Sequence, residues 1–267
     1  MTTTNGHADG RNRLGVSHIL WGFDLSSFDR FKVFLDEAAG IGYEGIVCFD
    51  STVMPWLDRA GEFKALLDQR GLALVGVILK PGLDYKGTDH LARFIAEAGG
   101  EFMILSGRCG SEEDWEIVIP ALQRHAAIAK RHGVQAVYHH HTSWIAETME
   151  QAERLLADTD PEIMGAMLDC GHATKDFVGH TAAEYYRRNH ERIRYVEFKD
   201  WRPETDLNTE VGRGRCDWPA VAAALREFDY RGWIVVEQNF TTRTPKEAAG
   251  ESYHFIRDYL GFGGAGE

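Results

Sequence analysis

Short apolar runs rich in β-branched residues alternate with longer amphipathic stretches about eight times along this chain, and no other feature constrains its fold as much. The apolar runs lie near 14–22 (LGVSHILWG), 43–49 (YEGIVCF), 72–79, 102–107, 134–140, 163–169, 193–200 and 233–238. VQAVY and WIVV are nearly continuous in apolar residues, the pattern of parallel strands covered on both faces. Between them, FDRFKVFLDEAAG, WLDRAGEFKALLDQRG and DWEIVIPALQRHAAIAKRHG repeat apolar residues every three or four positions. Each ends in glycine, as a helix with a left-handed C-terminal residue does. AETMEQAERLLAD, TAAEYYRRN, DWPAVAAALREF and PKEAAGESYHFIRDYLG continue the series. In the last, Thr244 reads as an N-cap and the following proline as a first-turn residue.

Eight βα units without a break in composition predict a single-domain α/β chain closed into a (β/α)8 barrel. An open doubly wound sheet is the competing architecture, but no GxGxxG follows the first run and the informative polar residues end several late strands. Residues 1–13, opening MTTTNGHADGRN, are polar and read as a disordered leader with no signal-peptide h-region. The barrel is expected over 14–262. No segment approaches the roughly 18 consecutive apolar residues of a membrane span.

The formal charge of −12, with basic residues dispersed, gives nucleic-acid binding little support. Cys48, Cys109, Cys170 and Cys216 are scattered with no CxxC pair, so they read as reduced thiols of a cytoplasmic protein and offer no zinc-thiolate site.

Barrel chemistry is assembled at the C-terminal ends of strands. The fifth run ends in His139-His140-His141, followed by Thr142 and Glu147; the sixth ends in Asp169, then Cys170-Gly171-His172. The seventh carries Glu197, Lys199 and Asp200, and the eighth ends in Glu237-Gln238-Asn239. Several carboxylates in one pocket repel one another unless protonated or shared with a cation. A divalent metal resolves that conflict, and oxygen-rich ligation suits Mn²⁺, Mg²⁺ or Co²⁺. Taken singly, each carboxylate is more often a loop cap or ion-pair partner than a ligand. Alternation along IRYVEFK puts Tyr195, Glu197 and Lys199 on one face, where Glu197 is either a ligand or the partner of Lys199 or Arg194.

These segments resemble the xylose-isomerase-like TIM-barrel superfamily, particularly its sugar phosphate isomerases/epimerases and inosose dehydratases. YHHHTSWIAET, MLDCGHATKD, RYVEFKDW, VGRGRCD and GWIVVEQ follow in order the family's HxHxxT…E, DxGH, HxKD, GxGxxD and Glu-ending eighth strand. The resemblance implies one divalent metal, Mn²⁺ foremost, with Glu147, Asp169, Glu197 and Glu237 as ligands; Glu197 stands where the family carries histidine. It also implies that His139 and His172 bind substrate. Trp21, Trp144 and Trp201 read either as stacking groups for a sugar ring or as rim packing. Arg213 and Arg215 read either as contacts to substrate oxygens or as parts of a mobile lid.

The implied reaction is enolisation of a keto-sugar or keto-cyclitol, with Glu237 as acid/base on one face and His141, Glu147 or Lys199 on the other. Elimination (inosose dehydration or cleavage of a 3-keto-glycoside) is favoured over epimerisation or isomerisation, because the HxHxxT segment resembles dehydratases. The non-enzyme alternative is a binding barrel with a decayed metal site. The expected partner is a small molecule, with no nucleic acid and no membrane; self-association is compatible with the sequence, which fixes no subunit number.

Overall fold

The computed structural model describes residues 10–79, 85–107 and 115–264. Eight parallel strands close into one barrel: β1 (Arg13–Ser17), β2 (Gly45–Phe49), β3 (Ala73–Ile78), β4 (Phe102–Leu105), β5 (Gln135–Tyr138), β6 (Met164–Asp169), β7 (Ile193–Phe198) and, last in the chain, β10 (Trp233–Val236). Closure is made by β1, which pairs with both β2 and β10. The seventh apolar run predicts a strand to residue 200. Instead β7 stops at Phe198, and Asp200 opens an antiparallel hairpin, β8 (Asp200–Arg202) and β9 (Asp206–Thr209), which stands over the barrel's C-terminal face.

The described helices are α1 (Phe28–Ile41), α2 (Asp50–Val53), α3 (Ala60–Asp68), α4 (Tyr85–Glu97), α5 (Trp115–Arg131), α6 (Met149–Ala157), α7 (Cys170–Asp176), α8 (Ala182–Asn189), α9 (Trp218–Glu227) and α10 (Pro245–His254). Thr148, Thr181 and Thr244 each close a reciprocal capping box at an N-terminus, satisfying orphan backbone donors. The expected glycine stop of α1 shifts by two residues: Gly40 lies within the helix, and Gly42, at φ 115°, is the cap. α4 lies outside the expected helices although its Thr88, Leu91, Ala92 and Ile95 recur at helical spacing on one buried face; the short α7 and the hairpin are too brief to show a period.

Alternation divides the strands into two cores. Val47, Val75, Phe102, Ile104, Val137, Met167, Tyr195, Trp233 and Val235 fill the barrel interior. Their neighbours, among them Val16, Ile46, Leu168, Val196, Phe198 and Val236, pack outward under the helices. The chain is anchored before the expected start at 14: Arg11 pairs with Glu44, and Asn12 donates to the Tyr230 carbonyl at 2.8 Å. Residues 1–9 of the expected leader lie outside the described residues. Cys48, Cys170 and Cys216 are buried free thiols; Cys109 lies outside the described residues. No described helix is long and apolar enough to cross a membrane.

Candidate active site

The polar end of the barrel is built by continuing the inward face of four strands past their apolar part. Asp169 pairs in register with Glu197, and Glu197 with Val235, so Glu237 emerges two residues above. Val137 points inward, so His139 and His141 continue that face. His140 turns outward onto Phe177 and Tyr185. Asp169, Glu197, Glu237, Lys199, His139 and His172 are all buried, each 5% exposed or less.

Asp169 organises the cluster. It is the N-cap of α7, accepting from the His172 backbone N–H at 2.9 Å through Oδ1. Its own N–H donates to His140 Nε2 at 3.1 Å, which fixes the end of β6 from the outer side. Oδ2 lies 3.2 Å from His139 Nε2 and 3.9 Å from His172 Nε2. Burial pushes the Asp169 carboxyl up, but His172, Lys199 and His139 together outweigh it and hold the group well below its usual range.

Glu197 behaves in the opposite way. Burial, then the neighbouring Glu237 and Asp169, drive its carboxyl well above the ordinary value, so without a bound cation it is protonated. The Tyr195 hydroxyl donates to Oε2 at 3.3 Å, while Oε1 has no partner among donors of fixed protonation. Lys199 donates to Glu237 Oε1 at 2.8 Å. Burial alone lowers the Lys199 pKa, but Glu237, Asp169 and Glu197 outweigh it and keep the side chain an ammonium ion. Burial raises the Glu237 carboxyl, and Lys199 and His139 more than reverse this, leaving it ionised with Oε2 unpartnered. The Lys199 stem is clamped between α7 and the hairpin. A Cβ on Gly171 would meet Lys199 Cγ at 2.8 Å and Leu207 at 3.0 Å.

The imidazoles divide by tautomer. Burial and the nearby His139 lower His141 to about 4, and its Nδ1–H donates to the Thr142 carbonyl at 2.8 Å, leaving Nε2 a free acceptor. Burial holds His172 well below its ordinary value, hence neutral. The Thr142 backbone N–H, an obligatory donor, reaches His172 Nδ1 at 3.2 Å. Nδ1 is therefore the acceptor and the ring proton sits on Nε2, a buried atom with no partner that faces Asp169.

Ligand atoms of His139, Asp169 and His172 lie within 4.8 Å of one another, the spacing of a candidate metal site. The tautomer of His172 makes it the poorest lone-pair donor of the three. The unpartnered oxygens of Glu197 and Glu237 add hard donors beside Asp169. One imidazole with two or three carboxylates is a donor set that fits a divalent cation, and such a cation would ionise Glu197.

Other expected site residues are placed elsewhere. Glu147 turns its carboxylate back to the Ser143 N–H at 2.8 Å and does not join the cluster. Trp21 faces away from the mouth: its indole donates to Glu37 at 2.7 Å and packs on Phe34 of α1. Arg213 is exposed and tied to Glu251 of α10, which satisfies the guanidinium away from the pocket. Trp201 stands half-buried on the hairpin, its indole donating to Asp206 at 3.0 Å, with the Arg215 guanidinium 6.0 Å from its ring. Trp144 stacks on His141 at 4.2 Å.

Asp200, just past the end of β7, collects backbone and indole donors. Oδ1 accepts from Trp201 N and Cys216 N; Oδ2 accepts from Gly212 N, Gly214 N and the Trp218 indole, all at 2.8–3.1 Å. Gly214 is required there, because a Cβ would stand 2.1 Å from Asp200 Oδ1. His18, absent from the expected site residues, locks the end of β1 to β2. Its Nε2 accepts from Phe49 N at 3.0 Å and its Nδ1–H donates to the Gly22 carbonyl. A lone histidine after an apolar strand gave no sign of this.

The family model described as "Xylose isomerase-like TIM barrel" matches residues 35–259. An inosose dehydratase from Geobacillus kaustophilus is 34% identical over 144 residues, 48% of this chain and 46% of that protein, so in this match the chain spans about half the relative's length. Inosose dehydratase 2 from Bacillus cereus is 31% identical over an alignment of 296 positions, covering 93% of this chain and 97% of that protein. The crystal structure of a D-allulose 3-epimerase from Methylomonas sp. in complex with D-allulose has the same fold, with a TM-score of 0.76 at 21% identity, covering 93% and 97%.

Proposed function

The chain belongs to the xylose isomerase-like TIM-barrel family, and from that premise we propose that it is a lyase that dehydrates a keto-cyclitol or keto-sugar by enolisation. The observation that carries this reading is the buried cluster itself. An ionised Glu237 with a free oxygen, an obligate ammonium and a histidine N–H donor converge on one pocket. The full-length likeness to an inosose dehydratase supports elimination over epimerisation.

Each group has a definite task in that chemistry. Glu237 Oε2 removes the proton α to the ketone; its partner oxygen is held by Lys199, so the free lone pair is directed. The Lys199 ammonium stabilises the charge that develops on the enolate oxygen, in a site from which water is excluded. His172 Nε2–H donates to the β-hydroxyl that leaves as water. His139, Asp169 and Glu197 would hold a divalent cation, Mn²⁺ foremost, which when bound supplies Lewis-acid polarisation of the ketone and leaves Glu237 Oε2 as the base. His141 Nε2 is the alternative acceptor on the opposite wall.

The test is to incubate the purified chain with Mn²⁺ and a keto-inositol in D₂O, following α-deuterium incorporation and loss of water by NMR and mass spectrometry. Dehydration supports the proposal. Exchange with a stereoisomer as the only product replaces it with epimerisation. If there is no exchange, and no metal co-purifies that Asp169→Ala loses, the chain is a binding barrel.

A further inference from the structure

Ser17, the last residue of β1, carries a hydroxyl that the fold leaves unused. At Gly15 an added Cβ would meet Val235 at 3.1 Å and Val75 at 3.3 Å, both inside the barrel, so Gly15 faces inward. Ser17, two residues on, continues that face and pairs in register with Val47, another interior residue. It is 1% exposed, and its Oγ has no hydrogen-bond partner among the described residues. Serine before a helical turn commonly caps it, yet the 3₁₀ turn His18–Trp21 begins without a side-chain cap. A buried hydroxyl without a partner costs stability relative to a methyl group, so nothing in the folded chain itself accounts for serine here.

Its neighbours define what it faces. Val16 pairs with Val236, so Ser17 stands beside Glu237; Oε2 of that residue is likewise unpartnered, and no hydrogen bond joins the two. Glu237 is thus flanked by Lys199 on the β7 side, bonded to Oε1, and by Ser17 on the β1 side. Beyond Ser17 the wall turns apolar. Phe49 of β2 and Ile78 of β3 belong to the interior face, and Phe23, 64% exposed, stacks on Phe49 with ring centroids 5.8 Å apart. The Phe49 N–H donates to His18 Nε2, which holds the end of β1 at the edge of this wall. Of the described inward residues at the upper ends of β1, β2 and β3, Ser17 alone carries a hydrogen-bonding side chain.

We infer that Ser17 is a specificity-determining residue whose hydroxyl binds the hydroxyl on the substrate carbon that Glu237 deprotonates. This rests on the lyase reading above and narrows its substrate to an α-hydroxy ketone. The order Lys199, Glu237, Ser17 along the rim matches the order ketone oxygen, α-proton, α-hydroxyl along the substrate. Removal of an α-proton requires its C–H bond to stand perpendicular to the carbonyl plane, which brings the α-hydroxyl close to that plane. A hydroxyl tied to Ser17, to one side of Glu237, holds the C–H in this attitude toward Oε2. The Phe49–Phe23 wall offers the ring an apolar surface for its C–H groups, so no other side chain on that side competes for the hydroxyl.

The test crosses the side chain with the substrate: wild type, Ser17→Ala and Ser17→Cys, each with a keto-inositol and with its analogue lacking the hydroxyl on the exchanging carbon. The rate followed is α-proton exchange in D₂O, as kcat/KM. Ser17→Ala should lose about tenfold on the full substrate and stay within about twofold of wild type on the deoxy analogue. Ser17→Cys fills the same volume with a weak hydrogen-bonding group and should behave as alanine does. Without substrate, the melting temperature of Ser17→Ala should equal or exceed that of wild type, because a partnerless buried hydroxyl is removed. Equal losses on both substrates, wild-type kinetics in Ser17→Ala, or a marked fall in its melting temperature overturns the role of Ser17 and leaves the lyase reading intact. A wild-type chain that neither exchanges nor dehydrates the keto-inositol overturns the lyase reading and the role of Ser17 with it.

Discussion

Replacing Glu197 with glutamine should stabilise the metal-free protein at neutral pH, a result opposite in sign to most substitutions of a buried acid. In the folded chain, burial and the adjacent Glu237 and Asp169 carry the Glu197 carboxyl well above its ordinary value of 4.5, whereas in the unfolded chain it titrates normally. The sign follows from linkage: above about pH 4.5 the unfolded state loses a proton that the native state keeps, so stability falls as pH rises. The slope is about 1.4 kcal/mol per pH unit, and between about pH 4.5 and pH 7 the loss reaches at most about 3 kcal/mol. Glutamine has nearly the same shape, accepts the Tyr195 hydroxyl in the same way, and does not titrate. In chelator, Glu197→Gln should therefore match wild type near pH 4.5 and exceed it progressively toward pH 7. At roughly 2–4 °C per kcal/mol, the melting-temperature difference at pH 7 approaches about 10 °C. Melting or urea titration of both proteins at four or five pH values gives the whole curve. Adding Mn²⁺ should then reverse the order, since the cation stabilises the ionised wild-type group and not the amide. A metal-free variant less stable than wild type, by an amount independent of pH, would mean that Glu197 is ionised and paired with Lys199.

Lys199→Met should remove detectable turnover and lower stability by about 3–5 kcal/mol in chelator, because Glu237 loses its hydrogen-bonded cation; kinetics and melting check both. Burial depresses His18 to about 4 and His140 to about 3, so each contributes stability that is complete above about 6.5. That stability is lost as pH falls toward the folded values, at about 1.4 kcal/mol per unit for each ring, and His18→Gln should flatten the acid limb of a melting-temperature profile. An unchanged limb would mean that His18 is protonated in the fold. Gly171→Ala should cost about 1–3 kcal/mol and displace Lys199, seen as a fall in turnover larger than the change in stability explains. Unaltered kinetics in that variant would show that the clamp on the lysine is loose.

The barrel was legible because its strands are apolar on both faces, and that pattern survives in VQAVY and WIVV whatever the loops do. The inward placement of Glu197 and Lys199 followed from period-two alternation alone, and the structure keeps Tyr195 and Glu197 on that face. Strand rules stop where strands stop, however. Trp21 and Arg213 lie in a turn and a loop whose direction is set by Glu37 and Glu251, partners on helices distant in sequence. Glu147 sits six residues beyond His141, and its carboxylate is captured by the local Ser143 N–H. The tautomer of His172 depends on a backbone N–H contributed by another strand's loop, and no residue pattern encodes such a contact.

The five donors gathered by Asp200 also bear on how this lineage can vary. They bind the chain at 201 on one side and at 212, 214, 216 and 218 on the other, so the hairpin between is a noose drawn tight at its base. The tip at 203–205 lies beyond that knot, where lengthening a flexible loop twofold costs only about 0.6 kcal/mol. Insertions there would extend or trim the awning over the pocket mouth while Lys199, one residue below the knot, stays where it is. If the proposed lyase reading holds, variation at the tip would change contacts at the pocket mouth without moving Lys199, and length differences among relatives should concentrate at that tip.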